Sequence, residues 1–197
     1  MKLTPTSKFV LLGIAVASLS ACSTTKHAPM NTAPSTPSSG QVQTTPTMDN
    51  QYGFMTDSTL TNAQLLAIRT YYFQFNSTDL LGLNKQAVDA QGTYLSTQST
   101  QRVLLAGNTD IQGSFEYNIG LGYRRAMAVQ QELMAQGTSK TQLELVSFGP
   151  ECPSNPAHTQ DAYQQNRRVQ LIYCQGESCQ AAYQQTNCGK ILKGNVN

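Results

Sequence analysis

The stretch from Ser114 to Ala135 constrains the fold more than any other part of the chain. Ile119, Gly122, Ala126, Val129 and Leu133 recur at alternating spacings of three and four, which predicts one helix with a single apolar stripe. Gly122 and Ala126 are small, so the helix can lie close against its neighbour. Asn118 and Arg125 are seven apart and stack at the margin of the stripe. Such a helix needs a surface to cover, and strand-like segments stand on both sides of it. "RVLLAG", 102–107, precedes it and "QLELVSFG", 142–149, follows. "TYYFQF", 70–75, and "RRVQLIYC", 167–174, supply two more strands. "TNAQLLAIRT", 61–70, has a short helical pattern. From Leu83 to Ser96, Ala87, Ala90, Tyr94 and Leu95 recur at helical spacing. The order strand, helix, strand, helix, strand, strand predicts an α/β architecture: a two-layer α+β sandwich with a four-stranded mixed sheet and helices on one face.

The segments outside this domain bound the compartment. Lys2 and Lys8 flank the start of an apolar run, Phe9–Ala21, that is too short to span a bilayer comfortably and has the build of an export signal. It ends in "LSAC", which resembles the lipobox of bacterial lipoproteins, so residues 1–21 are expected to be removed and Cys22 to carry lipid. Ser23 follows instead of an aspartate, and by the lipoprotein rule this directs the anchor to the outer membrane, with the domain in the periplasm. Residues 22–58 are rich in Ser, Thr and Pro and poor in branched aliphatics, the composition of a tether that cannot bury enough surface to order itself. As a coil it reaches about 30–35 Å, and fully extended roughly 100 Å. The folded domain is expected over 59–174, with an extension over 175–197.

Charge and cysteine usage exclude several function classes. Loss of residues 1–21 removes Lys2 and Lys8, leaving 11 of the 13 basic side chains against 11 acidic ones. A neutral chain lacks the basic surplus of a nucleic-acid binder or of a polybasic membrane patch. Besides Cys22 there are Cys152, Cys174, Cys179 and Cys188, an even set that in an oxidising compartment predicts two disulfides with three possible connectivities. Their expected role is to staple the extension, and the loop holding Cys152, to the end of the last strand. No CxxC pair and no neighbouring histidine support a zinc site or a thiol oxidoreductase. His27 lies in the tether and His158 in a proline-flanked loop, so no nucleophile–base pair is visible, and neither catalysis nor a cofactor or metal is expected.

Four blocks, "YYFQFNSTDL", "GNTDIQGSFEYNIGLGYRRAMAVQQEL", "SFGPECP" and "NRRVQLIY", together resemble the OmpA C-terminal domain family, particularly its Pal-like lipoproteins. The resemblance runs from about Tyr71 to Tyr173. It implies a βαβαββ domain that binds peptidoglycan by the diaminopimelate of the stem peptide. The free end of that side chain carries an ammonium and a carboxylate on one carbon, which a carboxylate and a forked guanidinium can match. The family pattern places those roles on Asp110 and Arg125, with Asn118 at the head of the helix and Asn76 after the first strand as further polar contacts. It puts Arg167 and Arg168 partly at the rim of the cleft. On residue types alone, Asp110 could simply cap a turn and pair with Arg125 as a structural ion pair; Arg124 falls on the exposed side of the helix. The chain departs from the family pattern at Gln74, where an aspartate is usual, at Cys152 and in its extension. The resemblance implies a non-catalytic anchor between outer membrane and wall, or alternatively a structural subunit of an envelope assembly such as a Tol-Pal complex or a Dot/Icm-like secretion core.

Overall fold

The computed structural model describes residues 51–174 together with Cys179 and Cys188. The expected signal segment, Cys22, the tether as far as residue 50 and the remainder of the extension lie outside the described residues. The sheet comprises β1 (Thr70–Tyr72), β2 (Val103–Asn108), β3 (Leu143–Gly149) and β4 (Arg168–Tyr173), in the order β1-β4-β2-β3. β2 and β3 are parallel, and β4 inserts antiparallel to both β1 and β2. The sheet is therefore mixed, as the element order predicts.

Helix α1 spans Asn62–Ala67, α2 Gly82–Ser96, α3 Phe115–Ala135 and α4 Gln160–Asn166. Alternate strand residues Val103, Leu105, Leu143, Val169 and Leu171 join Ala87, Val88 and Leu95 of α2 and Ala126, Val129 and Leu133 of α3 in the main core. Strand alternation and helical stripe thus meet in one layer interface. The small residues act as expected: a Cβ on Gly107 of β2 would collide with the carbonyl of Gly122, and one on Gly122 with Ser147 Oγ. Ser147 Oγ in turn donates to Ile119 O at 2.7 Å.

Three details differ from the sequence expectation. Helix α4 interrupts the direct β3–β4 connection that the element order predicts. Thr159 caps it by accepting from Ala162 N, and Asp161 lies in its first turn. In α2 the buried residues include Asn84, Gln91 and Gly92, whereas Ala90 is only half-buried and Tyr94 is exposed. Gln91 is drawn inward because it donates to Leu66 O (2.7 Å) and accepts from Tyr173 Oη (2.7 Å). Finally, the domain begins before residue 59. Asn84 Nδ2 donates to the carbonyls of Tyr52 (2.8 Å) and Gly53 (2.9 Å), and Leu83 N donates to Met55 O (2.8 Å). Tyr52 is buried, meets the Tyr72 ring edge-on and donates from its hydroxyl to Asp161. Asn84 Oδ1 also accepts from Tyr72 N (3.0 Å), which blunts the free edge of β1.

Candidate functional site

The C-terminal end of β2, the N-terminal half of α3, the loop after β1 and the end of α4 converge on a cavity of about 230 Å³. Asn76, Asp110, Asn118, Arg125 and Arg167 all line it. Arg168, the sixth residue assigned by family resemblance, does not. Its guanidinium donates to Cys152 O (3.1 Å), Asn166 O (3.4 Å) and Gln170 Oε1 (3.3 Å), and so holds the loop after β3.

Arg125 projects from the α3 stripe and is fully buried at 0 % exposure. Its three described hydrogen bonds all go to main-chain carbonyls: Nε to Ser77 (2.9 Å), Nη1 to Asn108 (3.1 Å) and Nη2 to Gln74 (3.1 Å). The guanidinium also lies 5.4 Å from the centroid of the Phe73 ring. A guanidinium has five N–H donors, so these bonds fix the head of Arg125 and leave two donors over. Among the described residues no carboxylate forms a salt bridge with it; the buried ion pair of the site belongs to Arg167. Burial lowers the Arg125 pKa to about 10, with neighbouring Asp110 opposing the shift and Arg167 reinforcing it. The side chain remains a cation at neutral pH, and an expensive one to keep buried.

Asp110 is held from two sides. Its Oδ1 accepts from Gln112 N (3.0 Å), a local turn, and its Oδ2 from Arg167 Nη1 (2.7 Å). The pairing of Asp110 with Arg125 that residue types alone allowed is thus replaced by a pairing with Arg167. Gln164 of α4 orients Arg167 by accepting from Nη2, while Arg167 Nε and Gln164 Nε2 both donate to Phe73 O (3.3 and 3.0 Å). A carboxylate has about four lone-pair sites, and two of those on Asp110 are occupied by these partners. The cavity wall therefore carries two buried cations and one anion, a formal excess of one positive charge.

The remaining contacts shape the mouth. Asn118, almost fully buried, donates from Nδ2 to Gln112 O (3.0 Å) and ties the 110–114 turn to the helix head. Ser114 caps α3 by accepting from Tyr117 N (3.2 Å). Asn76 sits in the left-handed region, φ 50°, a conformation that asparagine tolerates better than most residues, and its Oδ1 accepts from the Tyr117 hydroxyl. Phe75, 61 % exposed, and Tyr117 give the opening an apolar rim. Arg124 is exposed, as helical phase predicts, and lies over the Tyr117 ring at 5.6 Å. Sequence reasoning missed Gln164, Phe75 and Tyr117. Gln164 had a signal in the Thr159 cap that starts its helix, whereas nothing local marked the two aromatics. Among the described residues no group of three or more His, Cys, Asp or Glu is placed to hold a metal.

The structure pairs Cys152 with Cys188 and Cys174 with Cys179, with Cα separations of 5.5 and 4.7 Å. This selects one of the three connectivities that spacing leaves open.

Comparisons with known proteins agree with this architecture. Residues 72–167 match the OmpA family. A peptidoglycan-associated lipoprotein of Pseudomonas aeruginosa is 49 % identical over 109 residues, covering 55 % of this chain and 64 % of that protein. One from Haemophilus influenzae is 43 % identical over 104 residues, covering 53 % of this chain and 68 % of the relative. The chain thus spans a little under two thirds of the first relative and slightly more of the second. The crystal structure of the peptidoglycan-associated lipoprotein from Burkholderia pseudomallei superposes with a TM-score of 0.55 at 36 % identity, covering 56 % of this chain and 94 % of that one. These matches do not favour the secretion-core alternative. A sheet ordered β1-β4-β2-β3 beneath the α3 stripe, matched in both sequence and structure, shows that the chain belongs to the OmpA family, among its peptidoglycan-associated lipoproteins.

Proposed function

We propose that the cavity between α3 and the loop after β1 binds the zwitterionic end of a diaminopimelate side chain in peptidoglycan. The protein then acts without catalysis as an anchor, joining the wall to an outer membrane held by lipid on Cys22. The observation that carries this reading is the buried Arg125 guanidinium, which hydrogen-bonds backbone carbonyls and, among the described residues, forms no salt bridge with a carboxylate. A site with one uncompensated cation is short of one anion, and a ligand carboxylate supplies it through a charge-assisted pair. Asp110, held in place by Arg167 and Gln112 N, keeps lone pairs for the adjacent ligand ammonium. A ligand with only one of the two charges leaves a buried partner unpaired, which is the basis of discrimination. The relatives' names supply the wall as the source of such a ligand, and periplasmic placement follows from it.

The test is co-sedimentation of the purified protein with diaminopimelate-type peptidoglycan, with free diaminopimelate or cadaverine, the same chain of amines without either carboxylate, as competitor. Displacement by diaminopimelate at concentrations where cadaverine has no effect is the expected result. Failure to sediment with the wall, or equal displacement by the two compounds, overturns the reading.

A further inference from the structure

The sheet has a second face that the helices do not reach. Because strand side chains alternate, Leu104 and Ala106 of β2, Val146 and Phe148 of β3, and Ile172 of β4 point away from the main core. No residue of α1 to α4 belongs to the two clusters that these side chains form. An apolar sheet face left in water should be well exposed. Instead Leu104 and Phe148 are each 4 % exposed and Ala106 is fully buried. The described residues that join them are the cysteines. Cys174 and Cys179 cluster with Leu104, while Cys152 and Cys188 cluster with Ala106 and Phe148. Cys179 and Cys188 come from beyond the last strand, and each is only 2 % exposed.

We propose that this helix-free face is the docking surface for the chain's own segment 175–197, clamped there by the Cys174–Cys179 and Cys152–Cys188 disulfides. The two clamps sit over different parts of one face, the first beside Leu104 and the second beside Ala106 and Phe148. Nine residue steps separate Cys179 from Cys188. They can reach about 30 Å at 3.3 Å per step, ample for a four-stranded sheet whose strands lie about 4.8 Å apart. Oxidised, Cys179 and Cys188 are held against this face. A dithiol reductant converts each disulfide to two thiols and is itself oxidised to a cyclic disulfide; the extension is then held by apolar contact alone, and the face can open. Placement of Cys152 strengthens the clamp, because Arg168 Nη2 donates to the Cys152 carbonyl and fixes the loop that carries it. The inference concerns the face opposite the cavity and stands whether or not the cavity binds wall.

Two measurements on the full chain test it. In the oxidised protein, Gln170→p-benzoylphenylalanine places a photoreactive group on the same face of β4. Irradiation is expected to join it to a peptide within 175–197 of the same molecule. Capture of helical peptides, of a second copy or of nothing overturns the proposal. In the second, hydroxyl-radical footprinting of the wild type is compared before and after dithiothreitol. Labelling of Leu104, Phe148 and Ile172 should rise several-fold while Val129 and Leu133, in the helix-side core, stay protected. If reduction leaves Phe148 protected, the disulfides are not the clamp. If the helix-side residues open together with it, the two faces of the sheet open as one cooperative unit and the idea of a separable cover fails.

Discussion

Replacing Arg125 by methionine separates a ligand-binding cation from a structural one. Methionine keeps an apolar stem along α3 while removing the charge, three hydrogen bonds and the guanidinium's position over the Phe73 ring. Two of the abandoned carbonyls, on Gln74 and Ser77, belong to residues that are exposed or half-buried and can turn to water. The third, on Asn108, is buried, and losing its donor costs about 1–3 kcal/mol. Against this, the mutation removes a buried cation whose pKa burial has pulled well below the usual guanidinium range, to about 10. At about 1.4 kcal/mol per pKa unit, that burial costs about 3 kcal/mol. The two terms nearly cancel, so Arg125→Met should change folding stability by no more than about 2 kcal/mol. Wall binding has no such compensation: truncating one partner of a buried charge pair costs about 2–5 kcal/mol, a loss of at least about 30-fold in affinity. Thermal melts and co-sedimentation isotherms in the same buffer measure both quantities. A variant that unfolds shows the carbonyl bonds to be the purpose of Arg125; one that binds like the wild type shows the uncompensated charge to be idle. Either result refutes the reasoning.

Asp110→Asn should be the opposite kind of change, destabilising by about 3–5 kcal/mol in urea titrations, because it strips the counter-ion from buried Arg167 and leaves two arginines facing each other. Arg124→Ala, which loses only an exposed stacking contact on Tyr117, should alter wall affinity by less than about 1 kcal/mol in the same co-sedimentation assay. Gly107→Ala forces a methyl group into the carbonyl of Gly122 and should lower the thermal midpoint by the equivalent of about 1–3 kcal/mol. Asn84→Leu removes the partners of the Tyr52 and Gly53 carbonyls and of Tyr72 N; a loss of about 2–4 kcal/mol, with proteolysis newly admitted between residues 51 and 57, would mark that segment as part of the domain.

Legibility in the sequence followed the strength of the apolar period. The α3 stripe and the four strands were readable because alternation at 3.6 or 2 residues is what burial against a single layer produces. Their ends shifted by only a few residues, most at β1, where Phe73 keeps one hydrogen bond to Arg167 before the chain turns. Elements built for polar reasons were not readable. Helix α4, seven residues long and rich in glutamine, exists to place Gln164 and Asn166: one orients Arg167, the other grips Asn155 through its side chain at 3.0 and 2.8 Å. Gln91 and Asn84 of α2 belong to the same class, since polar side chains spent on backbone atoms look like surface residues until the backbone is in place. Residues 51–57 failed for the converse reason: their hold on the domain comes largely from main-chain carbonyls, which composition does not record.

The adjacent arginines of the "NRR" motif show how far one strand period separates roles that a motif joins. Consecutive residues entering β4 point to opposite faces of the sheet. Arg167 therefore turns to the helix side, into the cavity, and neutralises Asp110, whereas Arg168 turns to the other face and bonds the Cys152 carbonyl. Read as one rim, the pair supplies two ligand contacts; placed on the strand, it supplies a counter-ion to the cavity and a brace to the disulfide-bearing loop. This division also decides the charge of the site. With Arg168 withdrawn and Arg167 committed to Asp110, Arg125 alone remains uncompensated, and a single ligand carboxylate is enough to balance it. Both arginines facing the cavity would have left two guanidiniums there without a carboxylate partner instead of one.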